Sequence, residues 1–305
     1  MEYLNQVDQP EICFNPEEWT LEKLYDGFYH ILNCDYDLED PHSRDISYLL
    51  REISKIFNVK LPGIPHNGIL ANSQSFTRLY RIVKWNSLPS LVENGWYPPI
   101  SYSKLNRCNF NGCPVFYASD DISTALRETQ LRVNDKILLG IWHFHHKEVY
   151  VFPFISTHIN IPPEIKTKYD LSNLKGRYSE CGIKILMHLE KIKTQLLLST
   201  NMLTSSYISH SILNDIQYKN QSCLIYPSHT NFQKNNNFAI HQDVVDQGKV
   251  LPMKFYFGVV KDLNFQKEKI IIEMAGEVSE DKKINWRKLT EDEIKNGPEF
   301  LNPSS

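Results

Sequence analysis

From about residue 75 onward the chain is a succession of short apolar runs bounded by turn-forming residues, with helical patterns inserted at irregular intervals. FTRLYRIV, PVFYAS, KILLGIWHFH, EVYVFP, CLIYPS, FAIHQ, KFYFGVV and KIIIEMA each have the length and apolar content of a strand. LPSLVENG predicts a short helix ended at Asn94-Gly95, and DISTALRETQLR a helix capped near Asp120 or Asp121. Two further helices are predicted around 183–198 and 204–217, a turn at about His146-Lys147, and an Asn-rich loop at NFQKNNNF. Strands mixed with a few helices, without regular β-α-β alternation, specify an α+β fold: a mixed β core with peripheral helices. Neither G-x-G-x-x-G nor G-x-x-x-x-G-K-[ST] occurs, so the common phosphate-cradling loops are absent.

Upstream of this region the pattern is helical. Asn15-Pro16-Glu17-Glu18 supplies a cap, a proline at the first helical position and acids in the first turn. Trp19, Leu21, Leu24, Tyr25, Phe28 and Leu32 follow at helical spacing, and a second amphipathic helix is predicted over 45–57. Two such helices cannot bury a core alone. Their apolar faces are expected to pack on the main domain or on a second copy of the chain, as a homodimer. The Pro/Gly-rich segment at 59–68 marks the boundary. The sequence therefore divides into an N-terminal helical appendage (1–68), a main domain (69–260), and a C-terminal strand with a charged peripheral tail (261–305), in which Asp281–Trp286 has the content to pack.

The 305 residues carry a formal net charge of -3, so no global field draws in nucleic acid or an anionic membrane, and direct binding of either is not expected. No apolar run approaches the roughly 18 residues of a membrane span. The N-terminus lacks a basic region followed by an apolar one. These features predict a cytoplasmic protein. The six cysteines are scattered, only Cys108 and Cys113 lie close together, and no second pair completes a zinc site. They are expected to be reduced and structural. His143 and His145 share one face of a strand, but no spaced Asp, Glu or Cys completes a ligand set, so no metal is expected.

The stretch RCNFNGCPVFYASDDISTALRE, Arg107 to Glu128, reads as a turn, a buried strand and the start of a helix. It places a cation, an aromatic ring and one carboxylate on three successive elements. That set suits a substrate with phosphates and a ribose.

With the flanking segments, this stretch resembles the RES domain, a family named for an Arg, a Glu and a Ser. The resemblance rests on Leu79-Tyr80-Arg81, then Arg107, Asn109, Gly112, Tyr117, Ala118, Ala125 and Glu128, then Tyr207 and Ser209, then Tyr226-Pro227-Ser228 and Asn237. It covers roughly residues 75–245. It departs from the family pattern at Cys108, where an aromatic is usual, and in a longer segment from about 155 to 220. The resemblance implies an ADP-ribosyltransferase-like fold and NAD as a substrate, with no bound cofactor. It implies a bacterial toxin or defence effector, commonly paired with a helix-turn-helix antitoxin that covers the active site. Glu128, Arg81 and Ser228 become the implied catalytic residues, and Arg107, Tyr117, Tyr80, Tyr226 and Asn237 the implied substrate-binding ones.

The chemistry of these residue types agrees. Breaking the nicotinamide–ribose bond develops positive charge on the ribose, as in glycoside hydrolysis. One carboxylate near the ribose hydroxyls offsets it, and Glu128 is the candidate. The leaving nicotinamide is neutral, so no acid partner is required. Arg81 and Arg107 would grip the pyrophosphate with guanidinium forks. Tyr117 would stack on the nicotinamide or touch the ribose, and Ser228 would hydrogen-bond the ribose or amide. Each residue also has a plain structural reading: a solvated helix carboxylate for Glu128, a sheet-edge charge for Arg81, an exposed loop cation for Arg107, core packing for Tyr117, a turn hydroxyl for Ser228. NAD glycohydrolysis or phosphorolysis, ADP-ribosyl transfer to a protein or nucleic acid, and a catalytically silent binding module all remain compatible with the sequence.

Overall fold

In the computed structural model the described residues are 20–23, 25–26, 69–71, 78–145, 149–153, 178–198, 202–214, 222–228, 235–264 and 267–296. Ten strands form one sheet: β1 (Ile69–Ala71), β2 (Leu79–Lys84), β3 (Val115–Ser119), β4 (Lys136–Phe144), β5 (Val149–Pro153), β6 (Ser222–Pro227), β7 (Asn236–His241), β8 (Val250–Asn264), β9 (Lys267–Val278) and β10 (Ile284–Lys288). Among the described residues these helices accompany them: α1 (Ile122–Glu128), α2 (Glu180–Leu197), α3 (Met202–Leu213), α4 (Gln242–Asp246) and α5 (Glu291–Asn296), and residues 21–23 and 25–26 are also helical. The strand order is β1-β5-β6-β7-β3-β2-β4-β8-β9-β10. The β5–β6 pair is parallel and the other neighbours run antiparallel. The expected α+β character, a mixed sheet with a few helices, is what the chain adopts.

Period-two alternation sorts the side chains onto two faces. On the front, Val115, Leu224, Tyr226 and Ala239 pack under α2 and α3, through Ile185, Leu189, Ile192, Leu196 and Ile208. Further along the same face, Ile82, Ile137, Leu139 and Tyr256 meet Ala125 and Leu126 of α1. On the back, one continuous cluster draws Leu79, Phe116, Trp142, Phe144, Val151, Ile225, Phe238, Phe255 and Ile284 from strands spread across the sheet. A flat sheet spaces strands about 4.8 Å apart, so the ends of this one would be far out of contact. The cluster joins them through the buried residues of the strands between.

Several elements differ from the sequence expectation. The predicted helix over DISTALRETQLR stops at Glu128: Thr129 Oγ1 donates to the Ala125 carbonyl at 2.6 Å, and Gln130 turns to φ 50°, the left-handed region. LPSLVENG contributes only a 3-10 turn at Val92–Gly95. α2 begins earlier than predicted, because the Ser179 side chain accepts from the Gly182 N–H at 3.1 Å. The C-terminal region holds a strand not foreseen in the tail. β10 pairs with β9, and the Trp286 indole N–H donates to the Pro89 carbonyl at 2.5 Å. Gly276 makes that approach possible, since a Cβ there would stand 2.5 Å from Ile284 Cγ2. β8 also runs through residue 260, so the sheet continues across the boundary drawn there.

Of the N-terminal appendage, only 20–23 and 25–26 are described; the second helix predicted over 45–57 lies outside the described residues. Leu21 and Tyr25 pack against the α2–α3 cluster, and the Tyr25 hydroxyl lies 2.5 Å from His188 Nδ1 on α2. Among the described residues, no helix is long and apolar enough to cross a membrane.

A histidine pair ties α3 to β7. Asn214 Oδ1 lies 3.3 Å from His241 Nε2, and Asn214 Nδ2 lies 3.0 Å from His210 Nδ1. His241 Nδ1 in turn accepts from the Asp243 N–H at 3.1 Å. With Nδ1 accepting in both rings, from the Asn214 amide at His210 and from the Asp243 N–H at His241, both are neutral. Burial pushes both imidazoles below their ordinary pKa; His241 adds to the effect on His210, while Asp243 and Asp246 partly oppose it at His241. The folded state thus refuses protons that the unfolded state accepts. Stability is fully present above the unfolded value, about 6.5, and declines as pH falls below it. We expect the thermal midpoint to drop between pH 7.5 and pH 5. In His210→Gln, which keeps an acceptor without a titrating site, that slope should flatten; an unchanged slope would show that the pair is not its source.

Candidate active site

Glu128 reaches its position through the start of its helix. Asp121 caps α1, its carboxylate accepting from the Thr124 N–H and hydroxyl, both at 2.8 Å. Ala125 and Leu126 then anchor the helix on the front face, which leaves Glu128, one turn on, open to solvent above β3 and β7. Beneath it, the ladder sets Tyr226, Asn237, Ser119 and Tyr80 opposite one another across four strands.

Glu128 Oε1 accepts from Ser228 Oγ at 2.7 Å and from Asn237 Nδ2 at 2.8 Å. Ser119 Oγ donates to Asn237 Oδ1 at 2.6 Å. Ser228, Asn237 and Ser119 are 0%, 4% and 2% exposed, so buried groups hold a carboxylate that is itself open to solvent. One residue along, the Asp120 carboxylate accepts from the Asn236 N–H at 2.9 Å and from Asn236 Nδ2 at 2.7 Å, pinning the end of β3 to the start of β7. Burial raises the Asp120 pKa, and the Asn236 bonds partly offset it.

Tyr117 and Arg107 belong to a second network on the same face. The Tyr117 hydroxyl donates to Asn109 Oδ1 at 2.8 Å and accepts from the Cys108 N–H at 2.9 Å. Asn109 Nδ2 holds the loop closed through the Lys104 carbonyl at 2.7 Å and the Phe110 carbonyl at 3.0 Å. Gly112, at φ 74°, supplies the left-handed residue the loop needs. Ser209 of α3 donates to the Arg107 carbonyl at 3.2 Å, and Arg107 Nη1 donates to the Leu197 carbonyl at 2.7 Å. Arg107 thus sits at the negative end of α2, where a cation is favoured. Burial pushes the Cys108 thiol up to about 11 and both the Tyr117 and Tyr226 phenols well above their usual value. None of the three is a ready nucleophile at neutral pH. Tyr80 lies on this face, half-buried against the α1 cluster.

Arg81 is placed differently. It alternates with Tyr80 and Ile82 and leaves β2 on the back face, its guanidinium 5.1 Å from the Phe116 ring centroid. Nε donates to the carbonyls of Gly95 and Trp96, both at 3.0 Å, and Nη1 to the carbonyl of Tyr117 at 2.8 Å. β2 and β3 pair at one position, Tyr80 with Ser119, and the Arg81 side chain spans from β2 to the Tyr117 carbonyl of β3 beside it. Burial lowers its pKa to about 10, with Tyr117 opposing the shift. The structure therefore brings Glu128, Ser228, Asn237, Tyr226, Tyr117, Tyr80 and Arg107 to the front face and sets Arg81 behind it.

Sequence reasoning missed Ser119 and the Asp120–Asn236 tie. A hydroxyl and a carboxylate just after an apolar run mark a strand end, but only the pairing of β3 with β7 shows what they face. His143 and His145 are neighbours, with ring centroids 6.0 Å apart, and among the described residues no three His, Cys, Asp or Glu side chains gather as a metal site.

The chain matches no family model and no curated protein. Among solved structures it is similar to a chain in the crystal structure of the M. tuberculosis MbcT–MbcA toxin–antitoxin complex, with a TM-score of 0.35 and 8% identity, covering 68% of this chain and 90% of that one. A likeness of that size carries no argument about activity or partner.

The carbonyl contacts make Arg81 a structural strut. Arg81→Ala strands three partly buried acceptors, at about 1–3 kcal/mol for a buried group left unsatisfied. Arg81→Lys keeps the charge but cannot fork to carbonyls on separate segments. Both variants should melt well below the parent protein, with Lys recovering only part of the loss. Melting at the parent temperature in Arg81→Lys would return Arg81 to the role of a simple charge.

Proposed function

We propose that this protein cleaves the nicotinamide–ribose bond of NAD. The observation that carries the reading is the Glu128 carboxylate, open to solvent yet anchored through Oε1 by Ser228 and Asn237. A carboxylate on a flexible helix end would be a weak electrostatic group. One tied to two buried donors has its position fixed before substrate arrives, and such preorganisation is what makes charge stabilisation effective.

In the proposed reaction the C1′–N bond breaks and its electron pair leaves with nicotinamide, which departs neutral. The ribose becomes oxocarbenium-like, and the negative charge of Glu128 is aimed at it and at the adjoining hydroxyls. A group of this kind is worth on the order of 3 kcal/mol. Ser228 and Asn237 hold the carboxylate rather than the substrate. Tyr80, on the same face, offers a ring for the nicotinamide. Arg107 is the front-face cation for the pyrophosphate, which Arg81 on the back face is not placed to reach. Water, phosphate or a macromolecular side chain can then attack C1′, giving hydrolysis, phosphorolysis or ADP-ribosyl transfer.

The RES-like pattern of the sequence supports the same substrate. Unrestrained NAD cleavage would harm the cell that makes the enzyme. We therefore read the protein as a toxin or defence effector held in check by a partner, which in RES-domain proteins is commonly a helix-turn-helix antitoxin.

Incubating the purified chain with NAD, with and without phosphate, and identifying the products by mass tests the activity and its acceptor together. Nicotinamide with ADP-ribose indicates water, and a phosphorylated ADP-ribose indicates phosphate. Glu128→Gln should keep its melting temperature within a few degrees and lose about 10²–10³-fold in turnover, because the amide keeps the shape and loses the charge. A folded Glu128→Gln protein with parental turnover would sink the mechanism.

A further inference from the structure

The amide of Asn237 has two ways to sit in its strand. One presents Nδ2 to Glu128, and the other, after a half-turn, presents Oδ1. The second would set an oxygen against a carboxylate oxygen now 2.8 Å away. Nothing in the shape of the side chain chooses between them, because the two ends of an amide are nearly isosteric. The Glu128 carboxylate, which can only accept, makes the choice.

On the other side of the amide stands Ser119. Its hydroxyl lies 2.6 Å from Asn237 Oδ1, in a site where Ser119 is 2% and Asn237 4% exposed. The two residues are directly opposed in the β3–β7 ladder. Glu128 carries no proton to give when it acts as a charge, so Nδ2 must be the atom facing it. Oδ1 is then turned to Ser119, and a hydroxyl is the donor that matches it. The chain Ser119 Oγ–H to Asn237 Oδ1, and Asn237 Nδ2–H to Glu128 Oε1, runs in one direction from the sheet to the carboxylate.

We propose that Ser119 is a positioning residue for Glu128, acting through Asn237 by holding Oδ1 and so steadying the amide whose other end donates to the carboxylate. It touches neither substrate nor Glu128. The inference rests on the reading of Glu128 as the group that stabilises the ribose cation. Without the hydroxyl, Oδ1 loses a buried donor and the amide is freer to tilt in its site, so its bond to the carboxylate is kept for only part of the time.

The first test is a double-mutant cycle on NAD turnover. Ser119→Ala should lower kcat by roughly tenfold, the scale of one hydrogen bond that matters in the transition state, with KM within about twofold. In an Asn237→Ala background the same change should have no further effect, since the group through which Ser119 acts is gone. Independent, multiplying losses in the double variant would overturn the proposal, as would parental kcat in a folded Ser119→Ala protein.

The second test needs no activity. In protein labelled with 15N at asparagine, the Asn237 side-chain amide is assigned by its absence in Asn237→Ala. In the parent chain its two protons should be well separated and slow to exchange with solvent; rapid exchange would overturn the proposal without any Ser119 variant. In Ser119→Ala the pair should shift and exchange faster, and an unaltered pair would overturn it. If the parent chain leaves NAD intact, the functional reading falls while the amide spectra still decide the role of Ser119.

Discussion

The antiparallel register that sets Ser119 against Asn237 governs what the site can contain. Strand side chains alternate, so a slip of one residue between β3 and β7 would bring a back-face residue such as Phe116 or Phe238 into the place of a front-face one. With the observed register, Phe116 and Phe238 close the back core while Tyr117, Ser119 and Asn237 face α1, α2 and α3. The Asp120–Asn236 bonds lie one step along the same ladder and resist the slip. α1 begins immediately after β3, at the Asp121 cap, so its last residue inherits the position of that ladder.

The sheet also carries a built-in weakness. β2 meets β3 at a single pair, and the polar groups on either side of the gap need partners. Arg81 supplies one of them, donating to the Tyr117 carbonyl of β3, and also ties the Gly95 and Trp96 carbonyls of the adjoining turn, at the cost of burying a cation beside Phe116. An apolar side chain there would leave the Tyr117 carbonyl without that donor. A guanidinium is well suited to the place because its donors diverge in a plane and can reach separate segments at once. The strut also couples the two faces: the Tyr117 carbonyl takes Arg81 behind the sheet, while the Tyr117 hydroxyl holds the Arg107 loop in front.

Energetically the front-face network around Glu128 is built from hydroxyls and amides. Buried polar networks of this kind are favourable only when each member is satisfied, because an orphaned donor or acceptor costs more than a made bond returns. Ser119, Asn237, Ser228 and Glu128 satisfy one another in sequence. The arrangement keeps a charged group at the solvent boundary in a fixed place, which is the physical requirement for stabilising a short-lived cation.

The α+β class, most strand locations and the α1 cap were legible from the sequence, because apolar runs and capping residues act over a few neighbouring positions. Glu128, Ser228 and Asn237 were nameable from their chemical types and from resemblance, yet nothing in the sequence showed that two of them hold the third. Those residues lie 109 and 100 positions apart, and only the β6–β7–β3 ladder closes those distances. Arg81 shows the same limit from the other side. Its residue type suggests a phosphate grip, but the parity of its position on β2 turns it to the back, and the three carbonyls it meets belong to segments up to 36 residues away. β10 was hidden in a charged tail because its stability comes from pairing with β9 and from the seat of Trp286 on Pro89, not from its own composition. Local propensity fixed what each segment could become; long-range pairing decided which faces met, and with them which side chains form a site.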